Sequence, residues 1–123
     1  MTQEQQALVF KDLCGRLPYS VYVKTKKFKF PIELRYLSLD TLPNVIPYLR
    51  PMHSITGKEW AILKEWIFLA SDSKGKCRYF DGFQNISAED TVKAMDYLNS
   101  HYFDYRNLIE QGLALEAPEG MYQ

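Results

Sequence analysis

"YSVYVKTKKFKFPIELRYL", residues 19–37, decides the fold class, because here the hydrophobic period of the chain becomes two. Tyr19, Val21 and Val23 alternate with Ser20, Tyr22 and Lys24, which places successive side chains on opposite faces and predicts a strand. After the basic turn "KTKKFK", Phe28, Phe30, Ile32, Leu34 and Tyr36 alternate with Lys29, Pro31, Glu33, Arg35 and Leu37. This predicts a second, half-buried strand and therefore a hairpin. Pro31 has no N–H to give to a ladder, so the second strand is expected at a sheet edge or at a bulge.

Outward from the hairpin the pattern is helical. Thr2 and Gln5 form a capping box, and Phe10, Leu13, Cys14 and Leu17 recur at helical spacing, predicting a helix from about Thr2 to Cys14 that Gly15 and Pro18 stop. On the other side, Pro43, Pro47 and Pro51 exclude a helix and leave room for short strands near Leu37 to Leu39 and at Val45 and Ile46. Thr56 and Glu59 make a second capping box, and the spacing of Trp60, Leu63, Ile67 and Ala70 predicts a helix over 57–70. "SDSKGK" reads as a loop and "CRYFDGF" as a short strand or turn. Ser87, with Glu89 and Asp90 behind it, caps a third helix whose apolar side is Val92, Met95 and Leu98. A short fourth helix is expected from Tyr105 to Gln111, ending at Gly112. The predicted fold is a single α+β domain over 1–123: an N-terminal helix, a short antiparallel meander, then two or three helices.

Composition is that of an ordinary globular protein, with 46% hydrophobic and 24% charged residues. Cys14 and Cys77 are too few and too far apart for a disulfide framework or a Cys-x-x-Cys site, and read as free thiols in a reducing compartment. The start "MTQEQQALVFKDL" lacks the pattern of a signal peptide, so a cytoplasmic location is expected, with no membrane partner. Formal net charge is zero, yet residues 1–50 hold 8 Lys+Arg against 4 Asp+Glu, and residues 51–123 hold 7 against 11. Such an asymmetry either sets two complementary faces on one compact domain, which is the favoured reading, or offers a basic surface to an anion.

That surface centres on the turn. Lys24, Lys26, Lys27 and Lys29 crowd it, Arg35 and Arg50 lie close in sequence, and Tyr22 with Tyr19, Phe28, Tyr36 and Tyr48 intersperse them. Cations attract phosphates and exposed rings stack bases, so a nucleotide or a nucleic acid is the ligand class this mixture suits, although most of the rings sit at core spacing. Trp66 lies about 120° from Trp60 around a helix axis, at the edge of the predicted buried stripe, which makes it a candidate protein contact.

The stretch "HYFDYR" raises a different possibility, a hydrolase with His101 as general base oriented by Asp104 and an anion held by Arg106. Each residue also has a structural role at hand. His101 falls at a helix end, Asp104 precedes the next helix, and Arg106 can pair with Asp104 or Glu110. No nucleophile motif, Walker loop or Gly-x-Gly-x-x-Gly is present, and His53 and His101 are the only histidines, so no catalytic, metal or cofactor site is assigned.

Three stretches, "KDLCGRLPYSV", "PYLRPMHSIT" and "AMDYLNSHYFDYRNLIEQGLALEAPEGMYQ", resemble an uncharacterised family of small proteins encoded by phages and prophages of gut-dwelling anaerobic bacteria. The likeness leaves out about 57–85, and Tyr102 stands where the family pattern has a second histidine beside His101. The family has no established activity, so the resemblance implies origin, a phage accessory protein in the bacterial host cell. That it binds a host component is expected because small accessory genes of this kind often encode such proteins and the chain carries no catalytic signature. A counter-defence factor blocking a host protein or sequestering a nucleotide signal is the leading expectation, with a nucleic-acid-binding protein of phage replication or regulation as the alternative. Homo-oligomerisation is left open.

Overall fold

The computed structural model describes residues 2–34, 45–71, 73 and 78–122. Arg35, Tyr36, the expected strand near Leu37 to Leu39, Lys74, Lys76 and Cys77 lie outside them. The elements in chain order are α1 (Gln3–Arg16), β1 (Val21–Thr25), β2 (Ile32–Leu34), β3 (Val45–Leu49), α2 (Gly57–Leu63), β4 (Ile67–Ser71), β5 (Arg78–Phe83), α3 (Ala88–Ser100) and β6 (Leu115–Glu116). Short 3-10 turns at Leu17–Tyr19 and Met52–Ser54 follow α1 and β3. The fold is α+β, as expected.

Four strands form one sheet in the order β2-β1-β3-β6, and β4 pairs with β5 in a separate two-stranded sheet. The hairpin is present, with Val21, Tyr22 and Val23 opposite Leu34, Glu33 and Ile32, and β2 is an edge strand as Pro31 requires. β3 then returns to the far side of β1, antiparallel, whereas a meander would set it against β2. Pro47 in the middle of β3 does no harm. Ile46 faces β1, so its neighbour Pro47 points to the other side, where the parallel partner β6 begins only opposite Tyr48.

Two cores flank this framework. The first joins Val9 and Leu13 of α1 to Val21, Val23, Val45, Leu49, Leu108 and Leu113. The second gathers Met52, Leu63, Ile67, Ala94, Leu98 and Phe103, with Trp60 and Trp66 packed at its margin. A buried polar network stitches α1, α3 and the C-terminal loop together. Asp12 Oδ2 takes Arg16 Nε at 2.8 Å, Asp12 Oδ1 takes Arg106 Nη1 at 2.8 Å, and Arg16 Nη2 donates to the Phe103 carbonyl at 2.6 Å. Arg106 also donates to the Tyr105 hydroxyl, which in turn donates to Asn99 Oδ1 at 2.9 Å. Asp12 and Arg16 are fully buried, so each charge is tolerated only because it is paired and hydrogen-bonded, Asp12 to Arg16 and Arg106, Arg16 to Asp12 and the Phe103 carbonyl.

Several helical expectations change. Helix α1 runs two residues past Cys14 through Gly15, and its buried side is Val9, Asp12, Leu13 and Arg16, leaving Phe10 and Cys14 exposed. The helix expected over 57–70 stops at Leu63. Ile67 to Ser71 pair with Arg78 to Phe83 instead, because a short apolar run buries one face equally well as a strand once a partner is available. Residues 105–112 form successive turns, with Asn107 at φ 60°, a value that interrupts a right-handed helix. Gly112, at φ 76°, adopts the left-handed conformation expected of it. Leu108, within these turns, docks in the first core.

Candidate functional site

The β1–β2 tip is the most distinctive surface among the described residues. Strand β2 starts only at Ile32, immediately after Pro31, so residues 26–31 form a bent loop and not the first half of a strand. The alternation of Phe28 and Phe30 with Lys29 and Pro31 is therefore not a buried face. Phe28 is 42% and Phe30 64% exposed, their ring centroids 5.9 Å apart and tilted by 43°. Lys24, Lys26, Lys27 and Lys29 are all exposed at the same tip, and none makes an ion pair with a described residue. Lys27 Nζ stands 5.8 Å from the centre of the Phe28 ring, and the Phe28 N–H donates to Thr25 Oγ1 at 3.3 Å. Exposed phenylalanines are the surface feature that the periodicity concealed. Their position next to four lysines, with a proline marking where the ladder starts, was the clue to them.

The other residues expected at this surface go elsewhere. Arg50 follows β3, whose other end lies beside the tip, so the antiparallel strand carries it away from the lysines. Its guanidinium forms a two-pronged pair with Glu59, both contacts at 2.7 Å, and lies 4.2 Å from the centre of the Phe103 ring. Tyr22 sits mid-strand, half-buried, with its ring 5.7 Å from that of Tyr122. Trp66 is also half-buried, edge-on to Tyr97 at 6.4 Å, within the margin of the second core. Arg35 lies outside the described residues.

A cleft of about 630 Å³ opens between the Arg50–Glu59 region and the C-terminal segment. Its cations are Arg50, already neutralised by Glu59, and Lys58, and its other charges are Glu116 and Glu119. Such a lining does not suit a nucleotide's phosphates. Burial raises the Glu59 pKa, but the Arg50 hydrogen bonds and charge with the Thr56 N–H outweigh it and hold the carboxyl at about 2.

The "HYFDYR" residues are engaged with the fold. His101 Nδ1 is 2.9 Å from the Tyr97 carbonyl, and its ring stacks on Tyr97 at 3.9 Å, closing the end of α3. Asp104 accepts the Leu108 and Ile109 N–H groups at 2.7 and 2.9 Å, so its carboxylate braces a turn and does not orient His101. Burial pushes that carboxyl up, against those two hydrogen bonds and Arg16. Arg106 pairs with Asp12, not with Asp104 or Glu110. Among the described residues no group of three or more His, Cys, Asp or Glu side chains is placed to hold a metal ion, and no helix is long and apolar enough to cross a membrane. Comparison with protein-family models, curated proteins and solved structures gives no match.

Proposed function

We propose that this protein acts by binding and not by catalysis, and that it grips a phosphate-bearing polymer through the β1–β2 tip. One observation carries the reading: four lysines with no ion-pair partner among the described residues and two exposed phenylalanines share a single six-residue loop and its strand end. Apolar rings left in water beside unneutralised cations favour a partner that supplies both charge and contact area. Every residue of the tip from Lys26 to Pro31 is exposed, which suits an extended polyanion better than a captured nucleotide, and the 630 Å³ cleft carries the wrong charges for the latter. The backbone contacts of His101 and Asp104 speak against the hydrolase alternative. With the resemblance to phage-encoded proteins, the reading becomes that of an accessory protein that engages a host or phage nucleic acid.

The test is retention on heparin and on a mixed nucleic-acid column as a function of salt, for wild type and for the double variant Lys26→Glu, Lys27→Glu. Wild type should be retained at low salt and elute as salt rises, because binding releases counterions. The variant, altered only at exposed loop positions, should melt as wild type and run through both columns. Equal retention of the two proteins would overturn the proposal.

A further inference from the structure

Resting on that reading, we infer that the polymer is single-stranded nucleic acid and that Phe28 and Phe30 each stack a base. The two rings are exposed and two residues apart, and an exposed ring can stack an unpaired base but not one within a duplex, whose bases already cover each other. In sequence the cations alternate with the rings: Lys27 and Lys29 flank Phe28, and Lys29 precedes Phe30. A single strand alternates in the same way, one phosphate with each base.

An anionic bilayer is the competing partner for lysines and phenylalanines on a tip. The Phe28 environment counts against it. The Lys27 ammonium lies 5.8 Å from the centre of that ring, so sinking Phe28 among acyl chains would draw a charge toward them at high desolvation cost. Beside a base the same ammonium stays at the level of the phosphates and in water.

The experiment measures Kd by fluorescence anisotropy for a labelled oligothymidylate, the same length of duplex, and labelled heparin, with co-sedimentation on phosphatidylserine vesicles as a fourth arm. Proteins are wild type, Phe28→Ala, Phe30→Ala and the Lys26→Glu, Lys27→Glu variant. The expected result has the oligothymidylate bound more tightly than the duplex, with each phenylalanine substitution weakening it roughly tenfold and leaving heparin binding unchanged. For four lysines on phosphates, raising salt from 50 to 200 mM should weaken oligothymidylate binding roughly fifty-fold.

Duplex bound as well as single strand, or phenylalanine variants that bind oligothymidylate as wild type does, would overturn the inference while the polyanion reading stands. Vesicle binding that exceeds oligonucleotide binding and depends on Phe28 and Phe30 would also overturn it, in favour of a membrane. No binding to any of the polyanions would remove both the inference and the reading beneath it.

Discussion

Glu59 has two tasks that one substitution separates. Its side chain accepts the Thr56 N–H at 2.9 Å to complete the capping box of α2, and it clasps Arg50 on both oxygens. Glutamine serves a capping box as well as glutamate does but cannot neutralise a guanidinium. Glu59→Gln should therefore keep α2 and lower stability at pH 7 by about 1–3 kcal/mol, the usual cost of weakening a hydrogen bond to a charged group. The sign with pH follows from the lowered pKa. A carboxyl at about 2 in the fold and 4.5 outside it stabilises fully above pH 4.5, and that contribution is lost as pH falls toward 2. Asp104, pushed up by burial, works in the opposite direction in both proteins and cancels from the comparison. Thermal melts followed by circular dichroism should thus show the gap between wild type and variant closing across that window. A gap independent of pH would mean that the pair contributes no stabilisation through charge.

At the scale of elements, what the sequence revealed was beginnings more than ends. Both capping boxes, Thr2 with Gln5 and Thr56 with Glu59, lie where the local pattern placed them, as does the Ser87 cap, because these bonds span only three residues. The end of α2 depends on β5, some fifteen residues away, and no local signal carries that pairing. The candidate site was legible in its charges and hidden in its rings: exposure of Phe28 and Phe30 is settled by where the β1–β2 ladder stops, at Val23 and Ile32 just short of Pro31, not by their own spacing. The continuation of α1 through Gly15 is of the same kind. A Cβ there would stand 3.2 Å from Asn99 Nδ2 and 3.3 Å from Oδ1, so the glycine is what allows α1 and α3 to approach. Asn99 is buried and held by the Tyr105 hydroxyl, which leaves it little freedom to give way. Alanine in a helix gains about 1 kcal/mol over glycine, whereas overpacking costs about 1–3. Gly15→Ala should accordingly destabilise by up to about 2 kcal/mol in urea titrations, and a stabilised variant would show that the helices part without penalty.

For the whole molecule, the question is what holds the tip-bearing sheet to the rest of the chain. Strands β1 and β3 are laddered from Val23 to Thr25, toward the tip, and the next pair in register would be Tyr22 with Tyr48. Between those two residues sits the hydroxyl of Tyr122, accepting the Tyr22 N–H at 2.9 Å and donating to the Tyr48 carbonyl at 2.7 Å. Its ring stacks on Tyr102 at 3.7 Å, and Tyr102 in turn donates to the Tyr19 carbonyl at 2.5 Å. One side chain near the end of the chain therefore completes a backbone ladder a hundred residues earlier, and burial raises its pKa well above that of a free tyrosine. Tyr122→Phe keeps the stack and removes only the bridging oxygen. The Tyr22 N–H and the Tyr48 carbonyl are then left without their partner inside the sheet, a loss of about 1–3 kcal/mol. Native-state hydrogen exchange should show faster exchange at the Tyr22 amide in the variant, while the lysines and phenylalanines of the tip, on the laddered side of β1, should bind polyanions as before. Unchanged protection at Tyr22 would mean that the strands close directly on each other when the hydroxyl is absent, and that the tyrosine is a filler of the sheet and not its clasp.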